Sequence, residues 1–151
     1  VTAYLRNSFA PYSIIDSAKF LIDSVTFSGL AYFNNTPSGA YYYSLKYKNS
    51  IETWSKAGGE TYTAGSSMSY DFTSAQSQSY GNSTVLKNGK YCMVSGDINQ
   101  DGFVNGNDFT AFSQQFGQTG VLTADLNGDN VVNGNDFTTF SASFGKQSSH
   151  P

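Results

Sequence analysis

The chain has 151 residues, of which 13% are charged and 16% aromatic, and its net charge is −3. That length suits one domain or two small ones and is short for a large cofactor-binding enzyme. The aromatic content excludes a disordered tail, 3 Pro exclude a collagen-like chain, and no stretch approaches the roughly 20 apolar residues that span a bilayer.

The charge is unevenly placed. Residues 1–96 hold seven Lys/Arg and five Asp/Glu, net +2, whereas residues 97–151 hold six Asp and only Lys146, net −5. No basic footprint for nucleic acid is present. The first residue is Val1 rather than Met, which leads us to expect a removed leader, or a segment of a longer chain, in a secreted protein.

In chain order, the opening VTAYLR alternates Val1, Ala3 and Leu5 against Thr2, Tyr4 and Arg6 and predicts a strand. Two-residue periods recur at Ala18, Phe20, Ile22; at Val25, Phe27; at Met68, Tyr70, Phe72; and at Tyr91, Met93. The clearest is YYYSLKYK, which sets Tyr41, Tyr43, Leu45 and Tyr47 on one side and Tyr42, Ser44, Lys46 and Lys48 on the other, as in a half-buried strand. Turn chemistry separates these runs at residues 34–39, 56–60, 64–67 and 81–90. The expectation is an antiparallel β-sandwich over residues 1–95. Pro37, Gly39 and Tyr41 form a Pro-x-Gly-x-Tyr element at a strand start. In this it resembles the prealbumin-like, carboxypeptidase-regulatory-like and collagen-adhesin B-type sandwiches, a likeness that implies a structural or adhesive role.

The tail is an internal repeat. Residues 97–117, DINQDGFVNGNDFTAFSQQFG, and residues 125–145, DLNGDNVVNGNDFTTFSASFG, agree at 14 of 21 positions. Asp97, Asn99, Asp101 and Asp108 fall at positions 1, 3, 5 and 12 of a calcium loop, and Asp125, Asn127, Asp129 and Asp136 repeat them. A hard cation takes six to eight oxygens, which requires a chain that curls while offering alternate side chains inward. Position 7 would add the carbonyls of Phe103 and Val131. Position 6 must turn sharply and holds Gly102 or Asn130; Asn is the best non-glycine occupant of the left-handed region. After each loop, Phe109, Phe112, Phe116 and Phe137, Phe140, Phe144 mark one face of a short helix ended by Gly117 or Gly145.

A loop followed by one helix, duplicated, with Asp at position 12 and a strand end (YCMVSG) before it, resembles the dockerin family over about residues 96–147. The resemblance implies two calcium ions per chain, two antiparallel helices related by pseudo-twofold symmetry, and an extracellular setting. It also implies a cohesin partner, contacted through loop positions 10 and 11, here Gly106-Asn107 and Gly134-Asn135, and through basic or hydroxyl side chains on the helices. Neither helix carries Lys or Arg, so calcium binding is expected to carry over and cohesin binding is not.

Catalysis is not expected. His150, the single histidine, sits in the tail, leaving a Ser-His-Asp or Cys-His arrangement without a base. Cys92 lies in an apolar run and reads as a small core residue. Glu52 and Glu60 near Trp54 read as surface glutamates rather than a glycosidase pair. Exposed Tyr42 or Trp54 could stack on a glycan, with core packing as the competing explanation. The sequence thus points to a mainly β chain with a small α tail, divided into a sandwich at 1–95 and a dockerin-like calcium module at 96–151. The expected role is an extracellular calcium-stabilised subunit of a surface filament, with other copies of itself as partners through head-to-tail pairing of the VTAYLR strand. The alternative is a docking module for a cohesin-like receptor or a glycan.

Overall fold

The computed structural model describes residues 1–151. The chain forms two compact units: Val1–Lys46 with Thr53–Cys92 and Ser149–Pro151, and Tyr47–Glu52 with Met93–Ser148. It is mainly β, with two helices.

The strands are β1 (Thr2–Asn7), β2 (Ile14–Lys19), β3 (Gly39–Tyr47), β4 (Ser50–Trp54) and β5 (Glu60–Tyr62), followed by β6 (Val85–Lys87) and β7 (Lys90–Cys92). The first five form one sheet in the order β2-β1-β3-β4, with β5 also on β3; β6 and β7 make a separate hairpin. β1 is an interior strand. It is antiparallel to β2, with Ala3 opposite Ala18, and antiparallel to β3, with Ala3 opposite Leu45. Both rows of its backbone groups are therefore used, and the VTAYLR strand is not free to pair with another copy.

The alternation expected in β3 is only partly realised, because both faces are covered. Tyr41 packs with Leu5 and Tyr62 on one side. Tyr42 is also buried, with its ring against Trp54, Tyr12 and Tyr80. Ser44, likewise buried, accepts a hydrogen bond from Arg6 Nε at 3.1 Å. The Arg6 guanidinium lies 4.6 Å from the Trp54 ring centroid, a cation–π contact that makes an inward-facing cation tolerable. Trp54 and Tyr42 are thus core residues, which removes them as a sugar-stacking platform. His150 stacks on Trp54 with centroids 5.5 Å apart, so it packs against the first unit rather than trailing from it. Tyr41 Oη donates to the Pro37 carbonyl at 3.1 Å, which pins the Pro-x-Gly-x-Tyr element to the start of β3.

Other strand expectations fail locally. Residues 24–26 form a turn, because the Asp23 carboxylate accepts from the Val25 and Thr26 N–H groups at 2.9 and 2.7 Å, an Asx turn that competes with extended structure. Residues 68–70 have no regular structure; there the Tyr70 hydroxyl donates to the Gln78 carbonyl at 2.6 Å. Cys92 is half-buried at the end of β7 rather than in the core.

In the second unit the helices are α1 (Gly106–Gln115) and α2 (Gly134–Ser143). Each ends where the chain turns into a left-handed glycine, Gly117 at φ 80° and Gly145 at φ 82°. Only the middle phenylalanine of each stripe is fully buried: Phe112 and Phe140 stack with centroids 5.6 Å apart. Burying each ring contributes about 2–3 kcal/mol. Ile98, Ala124 and Val132 complete the cluster around Phe112. The repeats also bond to each other's ends. Val104 N donates to Lys146 O and Gly145 N to Val104 O at 2.9 and 2.8 Å, while Val132 N donates to Gln118 O and Gly117 N to Val132 O, both at 2.9 Å.

Candidate metal centre

Each loop gathers three carboxylates. Asp97, Asp101 and Asp108 offer oxygens that all lie within 4.8 Å of one another, and so do Asp125, Asp129 and Asp136. At such distances a pair of like charges repels by about 3 kcal/mol at an effective dielectric of about 20, so the fold holds together groups that a cation would reconcile.

The position-12 aspartates organise the loops. Asp108 Oδ1 accepts from Ile98 N at 2.7 Å and Asn99 N at 3.1 Å, and its Oδ2 accepts from Asn105 N at 2.9 Å. Asp136 repeats this with Leu126 N, Asn127 N and Asn133 N at 2.8, 3.0 and 2.9 Å. One carboxylate thereby ties the first residues of the loop to the helix start, and both aspartates are fully buried. Each also belongs to a capping box with Asn105 or Asn133, whose side chain accepts from Asn107 N or Asn135 N. The sequence reading missed these position-9 asparagines as loop residues, although Asn-x-x-Asp before an apolar run is a helix-start signal.

The ends of the loops are fixed in the same way. Asp97 Oδ2 accepts from Gly102 N at 3.1 Å and Asp125 Oδ2 from Asn130 N at 3.1 Å. These close contacts require position 6 to turn left-handed, and Gly102 has φ 88° and Asn130 φ 66°. Asn99 Nδ2 donates to Asp101 Oδ2 at 2.8 Å, and Asn127 Nδ2 to Asp129 Oδ2 at 3.0 Å, so position 3 sits beside position 5 in each copy. Phe103 and Val131 form isolated bridges to Gln147 and Thr119, which sets position 7 of one repeat against the end of the other.

Asp97 carries the clearest sign of an unmet charge. It is 2% exposed, and its Oδ1 is buried without a hydrogen-bond partner. Burial pushes its carboxyl above the usual range, the Gly102 N–H opposes this, and the neighbouring Asp108 and Asp101 add to the rise. A buried orphaned carboxylate oxygen is costly unless something satisfies it. Oxygen donors alone, with no His or Cys in either set, suit a hard cation such as calcium.

A β-turn completes this unit. Asn49, at the tip between β3 and β4, donates through Nδ2 to the Thr123 and Asp125 carbonyls at 3.1 and 3.0 Å. Lys48 Nζ reaches the Leu122 carbonyl at 2.9 Å, and Gln100 Nε2 bridges Ser50 O and Asp97 O at 3.3 and 2.8 Å. Residues near position 50 thus brace the first residue of both loops.

A duplicated acidic loop-helix unit of this geometry defines a calcium-binding module of the dockerin class. Residues 95–142 match the dockerin type I domain, a domain that binds calcium. A search of curated proteins finds no match. Among solved structures, the chain is similar to a type II cohesin–dockerin domain from Bacteroides cellolosolvens, at 40% identity over 36% of this chain and 90% of that one, with a TM-score of 0.35. It is also similar to two interface mutants of a type II cohesin–X–dockerin complex from Acetivibrio cellulolyticus. The N-terminal interface mutant is 20% identical over 97% of this chain and 81% of that one, with a TM-score of 0.54. The C-terminal interface mutant is 20% identical over 87% and 83%, with a TM-score of 0.50.

These findings correct the expected partner. Self-association through β1 has no support, because β1 is paired on both sides within its own sheet, and the neighbours that share the fold come from cohesin–X–dockerin complexes. The filament reading falls with it.

Proposed function

We propose that this chain is a docking module of an extracellular protein, in which a calcium-loaded dockerin over residues 96–151 binds a cohesin domain and residues 1–95 form an antiparallel β-rich companion. The observation that carries the reading is the pair of matched carboxylate triads, each clamped to its helix by a buried position-12 aspartate, within a segment that matches the dockerin type I domain. Two calcium ions are held per chain. Asp97, Asn99, Asp101, Asp108 and the Phe103 carbonyl take one, and Asp125, Asn127, Asp129, Asp136 and the Val131 carbonyl take the other. The module's work is binding rather than catalysis. The likeness over 97% of the chain to a cohesin–X–dockerin structure supports reading residues 1–95 as a companion module of the X type.

Isothermal titration tests both parts. Chelated, dialysed protein should take up two calcium ions per chain, and the loaded form should bind cohesin where the chelated form does not. Uptake of no calcium, or cohesin binding that ignores chelation, contradicts the reading.

A further inference from the structure

The two carboxylate triads match in composition but not in the state of their first aspartate. One oxygen is held alike in both loops: Asp97 Oδ2 accepts from Gly102 N and Asp125 Oδ2 from Asn130 N, each at 3.1 Å. The other oxygen differs. Asp125 Oδ1 accepts from the position-4 amide, Gly128 N, at 2.7 Å. Asp97 Oδ1 is buried with no donor, in a residue that is 2% exposed.

Position 4 is also where the loops diverge in sequence, with Gln100 in the first and Gly128 in the second. Gln100 Nε2 donates to the Asp97 carbonyl at 2.8 Å and to the Ser50 carbonyl at 3.3 Å, which anchors the main chain of position 1. Gly128 has no side chain with which to do this, and its N–H engages the carboxylate instead. Gln100 sits at φ 63°, in the left-handed region that such a residue seldom adopts, and its amide bonds stabilise it there.

We infer that the two loops are unequal calcium sites: the first binds more tightly and fills first, and Gln100 is the positioning residue that keeps Asp97 Oδ1 clear for the cation. The inference rests on the two-ion reading above and ranks its sites. Each loop has three carboxylates, so charge count does not separate them. A buried oxygen without a donor has already lost its water and gains the full attraction of a cation. Asp125 Oδ1 must instead divide itself between the cation and an N–H group, or give up a bond of the strong, charge-assisted kind. The difference should favour the first loop by about tenfold in Kd.

The test uses the full chain, chelated and dialysed, titrated with calcium alone and followed by the backbone amide signals of both loops in two-dimensional NMR. At one equivalent the loaded fraction at Asp101 and Gly102 should exceed that at Asp129 and Asn130 by about threefold, as a tenfold ratio of Kd requires. Single-site variants measure each loop separately: by competition with a chelator, Asp129→Ala, which keeps the first loop, should bind calcium about tenfold more tightly than Asp101→Ala, which keeps the second. Adding Gln100→Gly to Asp129→Ala should weaken binding by about fivefold or more, whereas a merely structural role for Gln100 would lower the melting temperature in calcium without moving this Kd. If wild type takes up no calcium, the two-ion reading and this inference fall together. If wild type takes up two ions but the loops load in equal share, or the second loads ahead of the first, or Gln100→Gly leaves the first loop's Kd where it was, the inference alone is overturned.

Discussion

The side-chain amide of Asn49 donates 3.0 Å to the main-chain carbonyl of Asp125, the first residue of the second loop. Asn49 is buried, and the same amide satisfies the Thr123 carbonyl. Replacing it with Leu leaves two carbonyls without their donor at a cost of about 2 kcal/mol or more. Asn49→Leu should lower the melting temperature in calcium and weaken uptake at the second loop more than at the first. Equal weakening of both loops would show that the turn acts generally and not through Asp125.

Positions 5 and 12 should separate when calcium is removed. Asp108 serves three backbone N–H groups, whereas the exposed Asp101 serves Phe103 N and the Asn99 amide. In chelator, Asp108→Ala should cost about 3 kcal/mol or more, because buried donors lose their acceptor. Asp101→Ala should cost little there, since it also relieves repulsion. In calcium both should abolish uptake at the first loop. Chemical denaturation with and without chelator reads all four states.

The two position-6 residues differ in strain. Asn130 sits at φ 66°, where glycine is relaxed and a β-branched side chain is not. Asn130→Gly should be neutral within a few tenths of a kcal/mol, and Asn130→Val should cost about 1–2 kcal/mol. A neutral Val would contradict the left-handed turn.

Tyr43 gives the β-rich unit an alkaline limit. Burial, with help from Glu60 and Tyr62, pushes its hydroxyl up to about 12, above the usual value near 10. The folded state therefore holds this proton more tightly than the unfolded one. The resulting stability is complete below about pH 10 and is lost as pH rises towards 12. Tyr43→Phe should flatten the fall in stability over that interval, and tyrosinate absorbance should show a component titrating near the top of it. An unchanged slope would place the loss elsewhere.

The repeat was legible because its chemistry is local. Asp97 to Asp108 spans one turn of chain, so spacing alone revealed which oxygens converge, and the same holds for the turn at Asn130. The phenylalanine stripe was visible, but its split into buried Phe112 and Phe140 and half-exposed neighbours depends on how two helices cross. Asn49 acts across 74 and 76 residues, and no local pattern marks it. In the β-rich unit, alternation located β1 and β3, yet Tyr42 and Ser44 were assigned to solvent because Trp54 and Arg6, which cover them, are distant in sequence. At residues 24–26 a two-residue apolar period competed with an Asp23 side chain able to bond its own backbone, and the turn prevailed. The wrong partner had a similar origin: a terminal strand looks free until the sheet that encloses it is known.

Light scattering on a sizing column tests the docking account most directly. Calcium-loaded chain mixed with a type II cohesin should elute as a one-to-one complex and separate into its two components when the column is run in chelator. A calcium-loaded chain that elutes apart from every type I and type II cohesin tried would contradict it.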